Sequence, residues 1–292
     1  MKYIKKIKNY LLWKIHEMIR PFKMTYLKNL NLENIGVTGT AEHNNIIISL
    51  TSYTKRFDTL DLCIKSLLMQ TIKPDRVVLY LARKDGENIP SKILELKQYG
   101  LDIRIVSEDY RPHKKYMYAM EEFKDSLVIT VDDDAIYSNK LVEALLITHK
   151  KYPEAIVTGR ARDIKLDSTS FSPYNEWNLS EKREEPSMLM LATGVGGVLY
   201  PPKLLDMELL TNKEYIKKYI DVDDLWLKNI EILSGIPTVL CGLDIDKNRY
   251  DIPSVQQEGL FTKNIGIENN NDKRWNELNK EFKLFNKMKG KS

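Results

Sequence analysis

The chain has 292 residues, of which 42% are hydrophobic and 29% charged, and its formal net charge is +4. These ordinary values exclude a disordered or collagen-like chain, and the weak positive charge without zinc-finger or aromatic-basic motifs argues against nucleic-acid binding. The two cysteines, Cys63 and Cys241, lie in apolar stretches and are too few for a disulfide framework. They indicate buried thiols in a cytoplasmic protein.

The first 30 residues form a basic amphipathic segment. It contains several lysines and arginines but only one acidic residue, Glu17. Its apolar residues recur at helical spacing, and Tyr10 and Trp13 are suited to a lipid interface. The segment lacks the apolar length of a membrane span and the cleavage site of a secretory signal. We expect a helix that either attaches peripherally to the inner face of the cell membrane or packs on the folded domain with its lysines in water.

After a Gly/Thr/Asn-rich connector at 36–45, strands alternate with amphipathic helices. Short apolar runs typical of buried parallel strands are separated by segments with helical periodicity. The pattern predicts an α/β fold with a mostly parallel sheet and helices on both faces. The predicted strands are 46–50, 76–81, 103–106 and 127–131, and the predicted helices are 59–70, 91–99 and 115–123.

The second half of the chain is less regular. A helix at 140–151 and a strand at 155–158 precede a polar stretch, 163–187, whose length is typical of a functional or mobile loop. An apolar, glycine-containing segment follows at 188–200, and a last amphipathic helix is predicted at 275–288. We divide the chain into an N-terminal extension (1–44), one domain with halves 45–137 and 138–268, and a C-terminal tail (269–292).

Three adjacent acids, Asp132, Asp133 and Asp134, end the strand at 127–131. Ligands gather at the carboxyl ends of strands in open α/β sheets, and crowded carboxylates repel one another unless a cation joins them. Carboxylates suit Mn²⁺ or Mg²⁺, and such an ion commonly accompanies a diphosphate. The alternative is an acidic helix cap, but a cap requires only one Asp.

With these features the chain resembles the GT-A glycosyltransferases, particularly the family 2 enzymes of bacterial surface-polysaccharide synthesis. The resemblance covers roughly residues 45–243. It depends on the opening strand at 46–53, the segment 109–116, the acidic triplet, and the pair Asp223-Asp224 followed by Gly235. It implies a Rossmann-like single domain, a nucleotide-sugar donor, with UDP favoured, and a glycan or lipid-linked acceptor.

The resemblance also implies where the donor and the metal bind. Asp134, and secondly Asp132, would hold Mn²⁺ or Mg²⁺. A lysine or arginine of the segment 109–116 would meet the charge of the leaving diphosphate, and the candidates are Lys114, Lys115 and Arg111. Lys115 is favoured for that role, although a solvated basic loop remains an alternative, and His113 is interpreted as a surface residue. The predicted donor-binding residues are Thr51, Ser52, Tyr53, Arg56, Lys114, Lys115, Asp132 and Asp133.

The acceptor side is predicted from the acidic pair and its surroundings. Resemblance favours Asp224, with Asp223, as the base that takes the proton of the acceptor hydroxyl in an inverting reaction. Alternatively, these acids stabilise a helix N-terminus, an interpretation that fits Asp221 better. Gly196 and Gly197 would allow a sugar to approach the backbone, and Trp226 would stack on it. A plain turn and core packing are the respective alternatives.

Three other functions share parts of this pattern. A sugar-nucleotide pyrophosphorylase would need a Gly-rich, Arg-containing loop after the first strand, and residues 50–56 contain no Gly. A haloacid-dehalogenase-type phosphatase also carries Asp-x-Asp after a strand, but Ala135-Ile136 replaces its usual next residue, and that motif normally opens the domain. A non-catalytic polysaccharide-binding relative of the transferases would be expected to lack the acids, and all of them are present. We therefore predict a metal-dependent glycosyltransferase.

Overall fold

The computed structural model describes residues 2–38, 45–256 and 270–289. The predicted domain boundaries after 44 and 268 fall at or within segments that lie outside the described residues. The α-helices are α1 (Lys2–Lys28), α2 (Phe57–Leu68), α3 (Arg83–Gly86), α4 (Ser91–Leu94), α5 (Lys114–Glu122), α6 (Leu141–Lys151), α7 (Met207–Leu210), α8 (Lys213–Lys218), α9 (Asp223–Ser234), α10 (Pro253–Gln256), α11 (Asn270–Phe282) and α12 (Leu284–Met288).

A seven-stranded sheet lies at the centre, in the order β10-β6-β9-β4-β1-β2-β3. All neighbouring strands are parallel except β9, which runs antiparallel to β4 and β6. Its strands are β1 (Ile46–Thr51), β2 (Arg76–Ala82), β3 (Leu101–Val106), β4 (Leu127–Thr130), β6 (Ile156–Thr158), β9 (Val198–Tyr200) and β10 (Thr238–Leu240). Two short pairs complete the fold, β5 (Ala135–Ile136) with β11 (Tyr250–Asp251) and β7 (Ala161–Asp163) with β8 (Met190–Ala192).

Apolar residues cover both faces of this sheet. Ile48 and Leu50 of β1 enter one core cluster, whereas Ile47 between them enters the other on the opposite face. Successive strand residues point to opposite faces, so a strand buried on both sides must be apolar throughout. The predicted α/β class with helices on both faces is thus confirmed.

Helix α1 packs on the domain along one side. Leu27 and Met24 contact the core, and the Lys65 ammonium donates to the Leu27 carbonyl over 3.0 Å. The opposite side leaves Phe22 76% exposed and Met18 70% exposed. The side chains of residues 2–9 and 11–13, including Trp13, lie outside the described part. None of the described helices has the length and apolarity needed to cross a bilayer.

Two predicted helices end differently in the structure. The helix predicted at 91–99 continues after Leu94 as a 3₁₀ helix, Glu95–Tyr99, and Gly100 closes it in the left-handed conformation with φ of 102°. The helix predicted at 275–288 begins earlier, at Asn270, and breaks at Lys283, whose φ is 56°. This break lets α12 turn back and contact α9.

Candidate active site

A cavity of about 760 Å³ opens at the carboxyl edge of the sheet. Four parts of the fold reach this edge: the ends of β1 and β4, the beginning of α9 and the loop before β9. The loop before β9 lies here because β9 is antiparallel to β4, so its N-terminal end is beside the carboxyl end of β4. The residues that were predicted from sequence and line the cavity are Thr51, Ser52, Tyr53, Arg56, Lys114, Lys115, Asp132, Asp133, Asp134, Asp223 and Asp224.

The acidic triplet lies on the floor of the cavity. Arg56 forms a close ion pair with Asp133 and approaches the Asp134 carboxylate to 3.2 Å. Burial, followed by repulsion from Asp132 and Asp133, nevertheless raises the pKa of Asp134 to about 7. One arginine therefore does not neutralise the three carboxylates.

Lys115 joins the triplet to the acidic pair of α9. Its ammonium lies 2.6 Å from Asp132 and 2.7 Å from Asp223, and the side chain is only 4% exposed. Burial opposes the charge, but attraction by Asp132, Asp223 and Asp224 raises the pKa of Lys115 well above its ordinary value. This lysine is therefore a permanent cation that fixes both acidic groups relative to each other.

The two acids of α9 differ in basicity. Against the effect of burial, the positive charge of Lys115 holds the pKa of Asp223 below its ordinary value. Burial and the adjacent Asp223 charge raise the pKa of Asp224 well above its ordinary value, and one of its oxygens accepts a hydrogen bond of 3.1 Å from the Gly194 amide. Asp224 is the better proton acceptor of the pair, since such a separation distinguishes acid–base roles.

His113 is fully buried, so its interpretation as a surface residue is wrong. Its Nε2 lies 3.0 Å from the Tyr219 carbonyl, and its Nδ1 contacts the Tyr116 hydroxyl. A carbonyl only accepts, so Nε2 carries the hydrogen and Nδ1 accepts from Tyr116. Burial lowers the pKa of His113 to about 4, and the neutral ring ties the start of α5 to the turn that leads into Asp223.

Residues 47–209, more than half of the chain, match the sequence family described as Glycosyl transferase family 2. The chain belongs to this family. The family resemblance predicted from the sequence motifs is confirmed, and the phosphatase alternative is wrong. Among curated protein sequences, no match to this family 2 chain was found.

Solved structures similar to this family 2 chain include a mannosyltransferase, PcManGT, from Pyrobaculum calidifontis in complex with GDP-Man and Mn²⁺, at 11% identity and TM-score 0.44, with 80% of this chain and 66% of that chain covered. TarS 1-349 of S. aureus in complex with UDP has 12% identity and TM-score 0.44, with 68% and 58% covered. A 4-diphosphocytidyl-2C-methyl-D-erythritol synthase from Anaerococcus prevotii has 14% identity and TM-score 0.43, with 76% and 95% covered. The chain thus spans less than two thirds of the first two.

Three residues of this family 2 chain that were predicted to contact the acceptor lie elsewhere. Trp226 is fully buried, donates its indole N–H to the Leu210 carbonyl and stacks on Tyr219, so its predicted contact with a sugar is wrong. Gly196 packs against the Arg160 backbone, and Gly197 (φ 75°) packs against Leu141. These two glycines serve turn geometry and close packing rather than sugar binding.

Gly194 is the glycine that the site requires. A methyl group there would lie 2.8 Å from the Lys115 ammonium, 3.0 Å from Asp132 and 3.2 Å from Asp224. Asp221, by contrast, precedes α9, pairs with Arg274 of α11 at 3.1 Å and is not among the residues that line the cavity. Only a glycine lets the three charged groups converge on this backbone.

Several charged residues of the family 2 cavity escaped prediction, namely Asp85, Arg160, Arg162, Arg249 and Asp251. Arg160 and Arg162 come shortly after the predicted strand at 155–158, so their position near the carboxyl end of a strand is a signal that the sequence does contain. Asp85, Arg249 and Asp251 carry no such signal in the sequence. Asn271 also lines the cavity, and it comes from the tail that was predicted to lie outside the domain.

Proposed function

We propose that this family 2 protein transfers one sugar from a nucleoside-diphosphate sugar, with UDP favoured, to a hydroxyl of a glycan or lipid-linked acceptor in bacterial surface-polysaccharide synthesis. The observation that carries the proposal is that the pair Asp223-Asp224 and the acidic triplet line the same cavity, with Lys115 in contact with both Asp132 and Asp223. A proton acceptor and a diphosphate site are thereby held side by side.

We propose a single displacement, as the family resemblance implies. The acceptor oxygen forms a bond to the anomeric carbon while its proton passes to Asp224, and the bond from that carbon to the diphosphate oxygen breaks. The nucleoside diphosphate leaves with the bonding electrons. Because one base on one side of the sugar suffices, the reaction inverts the anomeric centre.

The donor side of the cavity lies at the ends of β1 and β2. Asp85 accepts from the Thr54 amide (3.0 Å) and hydroxyl (2.8 Å) with one oxygen, while its buried second oxygen has no hydrogen-bond partner among the described residues. A buried acceptor of this kind favours a ligand that donates. The N3–H of uracil is a donor of this kind, so this position is compatible with UDP, and Thr51, Ser52 and Tyr53 border the same cavity.

The donor set fits a divalent ion only in part. No group of three or more His, Cys, Asp or Glu side chains converges in the described residues, so protein groups alone do not form a complete shell. Mg²⁺ and Mn²⁺ are commonly held by one or two carboxylates together with substrate phosphates and water. We propose Asp134 first and Asp132 second, because the crowding that raises the pKa of Asp134 would be relieved by a cation. The bound ion would neutralise the charge of the leaving diphosphate.

The cations near the diphosphate have distinct tasks. Lys114 and Lys84 both contact Asp109, and Arg56 contacts Asp133 and Asp134. We assign Lys114 and Arg56 to the donor, as predicted. Lys115 lies between Asp132 and Asp223 with only 4% of its side chain exposed, against 12% for Arg56, so we assign Lys115 the positioning of these two carboxylates.

We also propose that α1 holds the protein reversibly at the inner face of the cell membrane. The described side chains show both packing and exposure, because Leu27 packs on the domain while Ile15, Met18 and Phe22 remain exposed at helical spacing. Lys14 and Lys23 lie exposed beside them. Apolar insertion together with lysines near anionic headgroups supports interfacial binding.

The decisive test is donor turnover and transfer by purified protein. Binding of a panel of nucleotide sugars, measured by thermal shift with and without Mn²⁺, identifies the donor, since a ligand at 100 times its dissociation constant stabilises by roughly 2.7 kcal/mol. We expect Asp224→Asn to bind the donor but to lose about 10²- to 10⁴-fold in rate. Glu154→Gln, an exposed carboxylate outside the cavity, is the matched control.

Two outcomes would contradict this proposal. Near-normal turnover of Asp224→Asn would remove the base assignment. Donor binding without any hydrolysis or transfer, over a panel of acceptors, would favour the non-catalytic polysaccharide-binding alternative.

A further inference from the structure

Two arginines with few partners lie on the side of the cavity away from β1 and β2. Arg160 and Arg162 follow β6, which is two strands beyond β4 and its acidic triplet, whereas Thr51 and Arg56 lie on the other side of that triplet. Two strand spacings amount to about 10 Å. These arginines therefore face a different part of the cavity from the proposed nucleotide site.

The local carboxylates do not neutralise this cluster. Arg249 forms the close ion pairs, at 2.7 Å from Asp246 and in direct contact with Asp251. Arg160 approaches Asp246 only to 3.6 Å. Arg162 has no carboxylate within 4 Å among the described residues. It donates to the Trp177 carbonyl over 2.7 Å and lies over the Tyr174 ring.

The positive charges of these arginines repel one another. Burial, together with the nearby charges of Arg249 and Arg162, lowers the pKa of Arg160 although Asp246 counteracts them. Half-buried guanidinium groups that lack a close carboxylate favour an oxyanion, since charge-assisted hydrogen bonds are among the strong ones in proteins. This part of the cavity is therefore positively charged and suited to bind an anion.

Arg160 is connected to the proposed base through two adjacent residues, Thr193 and Gly194. Arg160 donates to the Thr193 hydroxyl over 3.0 Å, and the following residue, Gly194, donates its amide to Asp224 over 3.1 Å. The charges of Arg162, Asp224 and Arg160 all act on the Tyr174 hydroxyl. An anion held by these arginines would therefore belong to the molecule whose hydroxyl faces Asp224.

We propose that Arg160 and Arg162 bind an oxyanion, a phosphate or a carboxylate, carried by the acceptor close to its reacting hydroxyl. The proposal rests on the transferase function proposed above and specifies the acceptor as an anionic glycan or a phosphate-bearing one. Arg249 is a positioning residue, because it draws Asp246 away from Arg160.

Binding to the full chain saturated with UDP and Mg²⁺ tests this assignment by calorimetry. The probes are glucose 6-phosphate, glucuronate and neutral glucose, which separate phosphate, carboxylate and sugar. We expect an anionic probe to bind more tightly than glucose, and Arg162→Gln to weaken it about 10- to 100-fold. Arg162→Lys, which keeps the charge, should recover part of the loss. Arg83→Gln removes an exposed charge outside the cavity and should behave as wild type.

The outcomes separate the two proposals. Absence of UDP binding would overturn the proposed function itself. UDP binding without preference for either anionic probe, or equal anion binding by Arg162→Gln and Arg83→Gln, would overturn only the anionic acceptor. A wild-type preference for UDP-glucuronate over UDP-glucose that disappears in Arg162→Gln would assign the anion to the donor sugar and overturn it as well.

Discussion

Replacing His113 by Gln should change how the stability of the protein depends on pH. The imidazole titrates at about 4 in the folded protein and near 6.5 when unfolded. Because the unfolded state binds the proton more tightly, stability present above pH 6.5 is lost as the pH falls toward 4. At pH 5, about 1.5 units below the pKa of the unfolded imidazole, protonation of the unfolded state lowers the free energy of unfolding by about 2 kcal/mol. The decrease reaches about 3 kcal/mol at pH 4.

Urea denaturation of wild type and His113→Gln at pH 7 and pH 5 measures this effect. The amide of Gln keeps an uncharged donor for the Tyr219 carbonyl but does not titrate. The carboxylates of Glu108 and Asp109 titrate in both proteins, so they cancel in the difference. We expect the stability advantage of wild type to shrink by about 2 kcal/mol between pH 7 and pH 5.

A matched control and a refuting result complete the test. His149→Gln should change the difference less, because that imidazole is only half-buried and keeps contact with water. An identical stability difference at both pH values would show that His113 is not held neutral. The assignment of a neutral ring whose Nδ1 accepts from the Tyr116 hydroxyl would then be incorrect.

Two further results are expected. Asp134→Ala should abolish the Mn²⁺-dependent part of UDP binding in calorimetry while the protein stays folded, since removing one crowded carboxylate relieves repulsion; unchanged affinity at saturating Mn²⁺ would contradict the metal assignment. The double variant Met18→Ser, Phe22→Ser should sediment with anionic phosphatidylglycerol vesicles at least about tenfold more weakly than wild type, since each apolar side chain contributes about 1.5–3 kcal/mol on burial. Ile147→Ser, at an exposed position on α6, is the control, and binding that ignores salt or lipid charge would assign α1 to another role.

The sequence determined the fold class and the floor of the site. Runs such as 46–50 and 127–131 are apolar at every position, and only a sheet covered on both faces buries all of them. Parallel strands then bring their carboxyl ends to one edge, so Thr51, the acidic triplet and the segment 109–116 could be placed together without coordinates.

Only the tertiary structure decided which groups actually meet. Periodicity identifies the buried side of a helix but not the residues that it packs against. Trp226 was expected to contact a sugar but stacks on Tyr219 in the core. His113 was expected at the surface but lies between Tyr116 and the Tyr219 carbonyl. The contacts of Lys115 with Asp132 and Asp223 join residues 17 and 108 positions apart. Such pairings are set by long-range packing in three dimensions, because charges attract by distance in space and not by distance along the chain.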